Sequence, residues 1–349
     1  MKRLLFLAIP LVFLACSDDQ SEPSTEFEML EFSVDGTDSF PIDVVSFNQE
    51  YQSIHALSPV TFDDQFPVQL TPSIVVSPGA TVSPASGETV TINTEDDFIA
   101  YTVTSETGLL SRQYFFTVRD KQLSNSTFDD WFEIRGMNAQ FFEQPGVHEG
   151  STIWATANMA TSAYSVYGTT PEIDGSNTRI RIETIATSPV PVASGTLFLG
   201  KFDLQGAIDN PTEPEAAVDY GIPFIYTPSA IRLNYSYVSG DNLIQATLKE
   251  SDNIFGGFTI EELSGKDNYK IEAALERREG ENITTIATAL IESDIEVLTL
   301  SELELTLDYQ STETPTHFYI SFASSAEGHY YKGAVGSTLI VDDIELVYD

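Results

Sequence analysis

The stretch Ile231-Arg-Leu-Asn-Tyr-Ser-Tyr237 decides the fold of this chain. Its residues alternate strictly, so that one face carries the Ile, the Leu and both Tyr residues, and the other face carries polar side chains. Alternation with a period of two is typical of a β-strand that buries one face and exposes the other. An amphipathic helix would instead repeat its apolar residues every three to four positions. The stretch therefore predicts a half-buried strand in an antiparallel sheet.

The same alternation recurs along the chain, most clearly at 178–184, 298–307 and 338–347. Gly, Pro, Asn and Asp residues separate these runs, as turns between short strands require. After residue 26 no segment keeps a helical period, and the one short helix-like stretch, 271–278, also fits a strand. Many short strands joined by turns are typical of sandwiches and jelly rolls. We therefore predict an all-β fold, with an N-terminal immunoglobulin-like sandwich followed by a larger β-jelly-roll domain.

Charge and composition exclude several classes of function. The 349 residues include 16 basic and 53 acidic side chains, which gives a formal net charge of −37. Such a polyanion repels the phosphates of nucleic acids. For the same reason, binding to anionic membrane surfaces and to acidic polysaccharides is disfavoured. The single cysteine excludes an internal disulfide and a cysteine-rich zinc site, and four histidines are too few for a histidine-rich metal cluster. We therefore expect a neutral partner and no nucleic-acid binding.

The beginning of the chain resembles the leader and tether of a bacterial lipoprotein. A cationic start precedes an apolar run over 4–15 that is too short to cross a bilayer. Cys16 follows at the cleavage point, so 1–16 is predicted to be a signal peptide whose cysteine becomes lipidated. An ordinary secretory signal with an incidental cysteine is the alternative. The acidic stretch 17–26 contains no apolar residue and is predicted to be a flexible tether.

Acidic residues directly after the lipidated cysteine resemble the export tag of surface lipoproteins in some Gram-negative bacteria. We therefore predict an outer-membrane lipoprotein that is exposed at the cell surface and touches the membrane only through its lipid anchor. A plain periplasmic linker is the alternative interpretation of the same acidic residues.

A polar stretch at 119–127 divides the mature chain into two predicted domains. The strand-like run Tyr114-Phe-Phe-Thr-Val118 ends just before it, so we predict an immunoglobulin-like sandwich over 27–120 and a jelly roll over 127–349. Turns at Pro-Gly, Pro-Ala-Ser-Gly and Glu-Thr-Gly separate the last strands of the small domain. This ending resembles the immunoglobulin-like modules at the front of many surface lipoproteins, which implies a spacer or docking module.

Several segments of the second domain match one family pattern in order. They are Thr127-Phe-Asp-Asp-Trp131, Trp154-Ala-Thr-Ala-Asn158, Ala193-Ser-Gly-Thr-Leu-Phe-Leu-Gly200, Tyr220-Gly-Ile-Pro-Phe224, and the closing Gly-Ser-Thr-Leu-Ile-Val-Asp-Asp-Ile-Glu-Leu of 336–346. Together they resemble the putative carbohydrate metabolism domain, a jelly-roll family usually preceded by an immunoglobulin-like module. The resemblance implies a jelly roll related to carbohydrate-binding modules, in a surface lipoprotein of a glycan-using bacterium.

Aromatic and planar polar side chains are the candidates for sugar contacts. Aromatic rings pack on the C–H surfaces of sugars, and amide and guanidinium groups bond to their hydroxyls. An aromatic residue on an alternating strand is more often part of the core, whereas Trp154 lies among small and polar residues. The predicted ligand-binding residues are Trp154, Asn158, Arg232 and Tyr237, and further aromatic candidates are Tyr164, Tyr167, Tyr220, Tyr226, Tyr235, Tyr330 and Tyr331.

A structural calcium ion is the one cofactor that the sequence suggests. The resemblance to binding modules implies a calcium site between the opening and closing strands, where Asp129 and Asp343 would supply the oxygen ligands that Ca²⁺ prefers. Solvated strand ends are the alternative, because the chain has 53 acidic residues and no Asp-x-Asp-x-Asp-Gly loop.

Motifs for the commonest hydrolytic and nucleotide chemistries do not occur. The chain contains no Gly-x-Ser-x-Gly, His-Glu-x-x-His, Walker A or Gly-x-Gly-x-x-Gly sequence. A glycosidase needs two suitably spaced carboxylates and no short motif, so this class remains open. We predict a protein that binds neutral polysaccharides or oligosaccharides without cleaving them and supports carbohydrate utilisation. A glycoside hydrolase or lyase is the first alternative, and a protein-binding adhesin or assembly component is the second.

Overall fold

The computed structural model describes residues 23–60, 66–94, 97–210, 212–250, 253–280 and 282–348. The predicted signal peptide, its Cys16 and the first part of the predicted tether lie outside these residues. The all-β prediction is confirmed, because two β-sandwiches follow one another along the chain. Across the described residues, no helix is long and apolar enough to cross a bilayer.

Short strands in two layers form the N-terminal, immunoglobulin-like sandwich. These strands are β1 (Met29–Ser33), β2 (Val44–Asn48), β3 (Ser53–Leu57), β4 (Val68–Leu70), β5 (Ser73–Val76), β6 (Thr81–Ser83), β7 (Val90–Ile92), β8 (Ile99–Thr104) and β9 (Ser111–Arg119). One layer is a five-stranded sheet in the order β2-β3-β9-β8-β6, in which β3 and β9 run parallel. The other layer consists of the pairs β1–β5 and β4–β7. Tyr101, Tyr114 and Phe116 belong to the core of this domain.

Longer strands form the jelly roll. They are β10 (Trp131–Arg135), β11 (Phe141–Pro145), β12 (Trp154–Thr156), β13 (Thr169–Asp174), β14 (Asn177–Glu183), β15 (Thr196–Phe202), β16 (Val218–Tyr220), β17 (Ile222–Pro223), β18 (Ala230–Val238), β19 (Leu243–Leu248), β20 (Phe258–Glu262), β21 (Tyr269–Glu279), β22 (Asn282–Ser293), β23 (Val297–Thr306), β24 (Asp308–Tyr309), β25 (His317–Ala323), β26 (Lys332–Ala334) and β27 (Thr338–Val347). Two short helices, α1 (Asn158–Thr161) and α2 (Leu204–Asp209), and single 3₁₀ turns at Ser162–Tyr164, Pro214–Ala217, Ile254–Gly256 and Gly328–Tyr330 lie between them.

Two large sheets enclose the core of the jelly roll. The eight-stranded sheet follows the path β12-β15-β25-β21-β22-β24, with β16 paired to β15 and β17 paired to β25. The five-stranded sheet has the order β13-β14-β27-β18-β23. A three-stranded sheet, β20-β19-β26, and the hairpin β10–β11 complete the domain. Leu197, Ile271 and Ile320 from the first sheet and Ile231 and Val341 from the second belong to one buried cluster.

The alternation that predicted strands holds in detail, with one exception. The apolar residues between Ile231 and Tyr237 are buried in β18, and the ambiguous stretch 271–278 is part of the strand β21. The run 298–307 changes phase at Ser301, so that Leu305 faces the core while Leu298 is 76% exposed. The prediction that a single apolar face of this run is buried is therefore wrong for the first half of the run.

The segment between the two domains is bound to the last strand of the chain. The Gln122 side chain donates from Nε2 to the carbonyl oxygen of Leu346 at 2.9 Å, and its Oε1 accepts from the Leu346 amide at 2.8 Å. The Ile344 amide also donates to the Ser126 carbonyl at 3.0 Å. These bonds place the opening segment of the jelly roll alongside its closing strand.

Side chains of both domains meet across a further contact. The hydroxyl of Tyr51, in the turn after β2, donates to Asp219 of β16 at 2.8 Å. The His148 ring packs against Phe98 and Phe115 of the N-terminal domain, with centroids 4.8 Å apart in both pairs. Only glycine fits at position 150, because a Cβ there would lie 2.1 Å from the Phe115 ring.

Candidate functional site

The outer face of the eight-stranded sheet carries a cluster that we call the tyrosine face. It is defined by Phe198, Tyr220, Glu272, Glu276, Arg278, His317, Tyr319 and Ser321. Strand alternation positions it, because Phe318, Ile320 and Phe322 of β25 point into the core and the residues between them point the other way. On β21, Glu276 pairs directly with His317 of β25 in a continuous register, whereas the pairing of β21 with β22 shifts after Leu275.

Two half-buried tyrosines and a buried phenylalanine form a continuous ring surface. The Tyr220 and Tyr319 centroids lie 5.4 Å apart at 38°, and Tyr220 meets Phe198 edge-on at 5.3 Å. Phe198 is only 1% exposed, so it supports Tyr220 from below. Such a surface offers polarisable ring faces beside solvent, which is the arrangement that C–H surfaces of a ligand contact.

Two glycines allow β16 to lie across this face. A Cβ at Gly200 would approach the carbonyl oxygen of Asp219 to 2.1 Å, and the φ angle of +139° is one that other residues rarely adopt. A Cβ at Gly221 would lie 2.9 Å from Nη2 of Arg278. The absence of side chains at these two positions lets Tyr220 lie over the sheet and lets Arg278 approach it.

Carboxylates flank the rings. Glu272 accepts a hydrogen bond from the Ser321 hydroxyl at 3.3 Å and lies 3.1 Å from the Lys270 ammonium. Glu276 lies 2.7 Å from the Arg278 guanidinium. Four residues along a strand place the two Cα atoms about 13 Å apart. Each carboxylate is therefore held by its own cation, at opposite ends of the ring surface.

Arg278 and His317 close one end of the tyrosine face. The Arg278 guanidinium also donates from Nη2 to the Tyr220 carbonyl at 2.8 Å, which ties β21 to β16. Burial and the nearby Arg278 lower the pKa of His317 to about 4, so its imidazole is neutral near pH 7. Its Nδ1 lies 2.9 Å from the Thr316 hydroxyl.

The phenol groups of the face stay protonated. Burial, Glu272 and Glu276 raise the pKa of Tyr319 to about 12. Burial, Glu272 and Glu215 raise the pKa of Tyr220 above its usual range. Both hydroxyls are therefore available as hydrogen-bond donors and acceptors at physiological pH.

A loop rim borders the face on the side of α2. Glu215, in the 3₁₀ turn Pro214–Ala217, lies 3.7 Å from Nε2 of His329. His329 in turn packs on Tyr330, with centroids 3.9 Å apart. Tyr330 is one of the aromatic candidates from the sequence. It is 65% exposed, so its ring is accessible at this rim.

Three of the four residues predicted to contact sugar are instead buried in the interior of the domain. Trp154 is 1% exposed, because its ring packs on Phe128 and its Nε1 donates to the Ser124 carbonyl. Tyr237 is buried and donates its hydroxyl to the Asp267 carbonyl. Asn158 is buried as well, and its amide bonds twice to the backbone of Thr169. A surface ligand cannot reach these three side chains, so their predicted role is corrected.

Arg232, the fourth predicted ligand-binding residue, lies on the outer face of the five-stranded sheet. We call this the ladder face, defined by Glu172, Arg181, Glu183, Arg232, Glu304 and Glu345. Arg232 bonds to Glu304 at 3.0 Å and to Glu345 at 2.9 Å. Its guanidinium is already paired with carboxylates of both neighbouring strands, and it lies in the opposite layer from the tyrosine face.

The two predicted calcium ligands have separate protein partners. Asp129 accepts from the Thr178 amide at 3.2 Å, whereas Asp343 accepts from the Asn234 side chain at 2.9 Å. The neighbouring Asp342 is buried between Asn177 and Arg179. Within the described residues, no group of three or more acidic, histidine or cysteine side chains could hold a metal ion.

Sequence reasoning named Tyr220 among its aromatic candidates but did not select Tyr319, Glu272 or Glu276. A signal was present in the run His317-Phe-Tyr-Ile-Ser-Phe322, where Phe, Ile and Phe share one face. A tyrosine on the polar face of such a strand is a candidate for ligand contact rather than for the core.

Comparison with solved structures places this fold beside two proteins from Bacteroides. A crystal structure described as a putative glycoside hydrolase from Bacteroides thetaiotaomicron superposes with a TM-score of 0.58 at 24% sequence identity, over 94% of this chain and 98% of that one. A second putative glycoside hydrolase, from Bacteroides vulgatus, gives a TM-score of 0.52 at 20% identity, over 64% of this chain and 97% of that one. At these identities the likeness establishes the fold.

Comparison at the level of sequence gives the family. No curated protein is significantly similar to the chain. The model of one family, described as the putative carbohydrate metabolism domain, matches residues 127–347, which include both large sheets and the whole tyrosine face. The resemblance found in the motifs of the sequence is thereby confirmed, and the chain belongs to the putative carbohydrate metabolism domain family.

Proposed function

We propose that this protein binds an oligosaccharide on the tyrosine face and that it does so without cleaving it. The observation that carries the proposal is the Tyr220–Tyr319 pair, whose rings lie beside solvent on an open sheet surface. Sugar rings pack on such faces, and the hydroxyls around them need acceptors and donors at the edges. Glu272 and the hydroxyls of Tyr220 and Tyr319 supply these groups within the same surface.

Binding is favoured over hydrolysis by the placement of the carboxylates. A glycosidase needs one carboxyl group that carries a proton and a second one near it. Glu272 and Glu276 are instead held by separate cations, Lys270 and Arg278 respectively, at opposite ends of the ring surface. Ionised carboxylates accept hydrogen bonds from sugar hydroxyls, which suits a binding surface.

The place of the protein in the cell is part of the proposal. The leader with Cys16 and the acidic residues after it support a surface lipoprotein of a Gram-negative bacterium, in which the two sandwiches extend from a lipid anchor. Labelling with a palmitate analogue tests this. We expect the label on the wild-type chain and none on Cys16→Ser, while label on both would refute the anchor.

Calorimetric titration of the mature chain with a panel of oligosaccharides tests binding. We expect at least one saccharide to bind, and Tyr319→Ala to abolish or strongly weaken that binding. Leu298→Ala is the matched control, because it also removes an exposed apolar side chain but lies on the opposite sheet. Equal effects of the two substitutions, or silence across the panel, would contradict the proposal.

Release of reducing ends from the bound saccharide is the assay that separates binding from cleavage. We expect no release by the wild-type chain during prolonged incubation. Release that disappears in Glu272→Gln or Glu276→Gln would establish a hydrolase at the same face and overturn the non-catalytic half of the proposal.

A further inference from the structure

A cavity of about 160 Å³ lies between the two domains, which is roughly ten times the volume that one ordered water needs. Its walls come from β2 and β3 of the N-terminal sandwich and from β15, β16 and β21 of the jelly roll. The titratable side chains that line it are Tyr51, His55, Lys201, Asp219, Arg278 and His317.

The cavity lies at one end of the tyrosine face. Asp219 and Gly221 of its wall flank Tyr220 in the chain, and His317 is the outward-facing neighbour of Tyr319 on β25. Arg278 belongs to both regions, since its guanidinium bonds to the Tyr220 carbonyl and lines the cavity. A ligand on the tyrosine face could therefore extend one group into this space.

Lys201 brings an unpaired cation into the cavity wall. Its ammonium makes one long hydrogen bond, 3.4 Å to the Thr152 carbonyl, and no carboxylate of the described residues lies within ion-pair distance of it. Partial desolvation lowers the pKa of Lys201, because the charged ammonium is less well solvated here than in water. A half-buried lysine without a carboxylate partner is uncommon, because even partial desolvation of the charge is costly.

A second buried cation stands behind the same wall. Arg119, at the end of β9, is 3% exposed, and its Nε and Nη2 atoms have no hydrogen-bond partner in the described part of the chain. The charges of Arg119 and Lys201 act on one another and on His55 between them. Burial and these two cations lower the pKa of His55 far below its usual range, so the imidazole stays neutral.

The side chains that line the cavity carry two cations, Lys201 and Arg278, against one carboxylate, and Glu149 acts on Lys201 from outside the lining. Asp219 is the one carboxylate among the lining residues, and it already accepts the Tyr51 hydroxyl at 2.8 Å. Glu276 is occupied by Arg278. In a chain with only 16 basic residues against 53 acidic ones, three of the basic ones thus meet at this junction.

We propose that the interdomain cavity is an oxyanion pocket, in which Lys201 binds the carboxylate or sulfate group of an acidic sugar and Arg119 adds positive potential from behind. An ammonium donates charge-assisted hydrogen bonds to such oxygens, and a partly enclosed space strengthens them. The identity of the ligand as a sugar rests on the proposed function, whereas the affinity for an oxyanion rests on the cavity alone.

The pocket refines the partner predicted from net charge. A charge of −37 still repels a polyanionic chain, since repulsion from the whole surface acts on every charged unit. One acidic group that enters a local pocket of opposite charge is a different case. The expected ligand is therefore a largely neutral saccharide that carries a single acidic residue at the position beside Tyr319.

Titration of the mature chain with galactose, galacturonate and galactose 6-sulfate tests the pocket, because the three probes differ in the acidic group. We expect one or both acids to bind at least tenfold more tightly than galactose, and the stronger of the two identifies carboxylate or sulfate as the preferred group. Lys201→Met, which keeps a long apolar side chain, should remove the preference. Lys249→Met, at an exposed lysine of the three-stranded sheet, should leave it within twofold. Equal binding of all three probes, or a preference that survives Lys201→Met, would overturn the proposal.

A second measurement separates this proposal from the proposed function. If no sugar binds, the thermal midpoint of the wild type and of Lys201→Met is compared in sodium sulfate and in sodium chloride of equal ionic strength. A stabilisation by sulfate that requires Lys201 would support the oxyanion pocket although the sugar proposal had failed. Identical shifts in both proteins would overturn the pocket.

Discussion

The two outer faces of the jelly roll use charged residues in different ways. On the ladder face, Arg232 is bonded to Glu304 and Glu345 on the two neighbouring strands. Arg181 is bonded to Glu172 on the neighbouring strand β13 and to Glu183 on its own strand β14. On the tyrosine face, charged groups stand at the ends of a ring surface formed by Tyr220 and Tyr319.

This difference shows why charge alone is a poor guide to a binding surface. A cation that is bonded on both sides must lose those bonds before it can serve a ligand, so the ladder face offers little to one. The tyrosine face offers partly exposed ring surface, together with a carboxylate at each end of it. The same alternation of residues along the strands therefore produces one surface whose charged groups are paired with one another and one surface that presents aromatic rings.

The largest difference between the faces is expected from truncation of Tyr319. Tyr319→Ala removes the more central ring, and loss of a stacked anchor costs about 2 kcal/mol, or roughly 30-fold in affinity. Isothermal titration with a saccharide that binds the wild type measures this. A comparable loss in Leu298→Ala would show that the two faces do not differ in binding.

A smaller effect is expected when one carboxylate on each face is neutralised. Glu272→Gln should weaken saccharide binding by about 1 kcal/mol, because a hydrogen bond to a charged acceptor becomes one to a neutral amide. Glu304→Gln, on the ladder face, should leave the dissociation constant unchanged. If Glu304→Gln weakened binding instead, the assignment of the ligand to the tyrosine face would be refuted.

Acid should affect stability through the end of the tyrosine face. The pKa of His317 is lowered to about 4, whereas an unfolded histidine titrates near 6.5. The folded chain then binds fewer protons than the unfolded chain between these values, so stability is lost as pH falls from 6.5 toward 4. Thermal unfolding of the wild type and of His317→Gln across this range measures the effect.

The variant should lose less stability than the wild type as the pH falls. Parallel curves of stability against pH would show that His317 does not titrate differently on folding. His55, whose pKa is also lowered, contributes in the same direction in both proteins.

The smallest effect is expected at Arg232. Arg232→Ala removes two exposed ion pairs, so saccharide affinity should not change and the thermal midpoint should fall slightly, more at low salt than at high salt. Titration and unfolding at two salt concentrations measure both quantities. A loss of saccharide binding in this variant would restore Arg232 to the role that its sequence pattern suggested.

The alternation of apolar and polar residues was enough to predict the fold from the sequence. It was not enough to predict which residues form the site. The residues from Ile231 to Tyr237 were correctly placed on a half-buried strand, because burial follows directly from a period of two. Whether a given aromatic residue faces the core depends on the phase of its strand. Trp154 has polar neighbours in the sequence, yet it packs under the opening segment of the domain, and its neighbours Thr156 and Asn158 are buried as well.

Tertiary contacts explain what sequence could not supply. The approach of Tyr220 to Tyr319 depends on the pairing of β16 with β15, which are separated by α2 and a 3₁₀ turn in the chain. The meeting of Arg119 with Lys201 depends on the docking of one domain on the other. Neither distance is encoded by local spacing.

The bonds that Gln122 makes to Leu346 have a mechanical consequence. Because Gln122 holds the segment between the domains against the closing strand of the jelly roll, this segment has little freedom to move, so the two sandwiches should tumble in solution as one body. Rotational correlation times would then be common to both halves. A force applied to the N-terminal sandwich should therefore be transmitted to the jelly roll through this fixed junction.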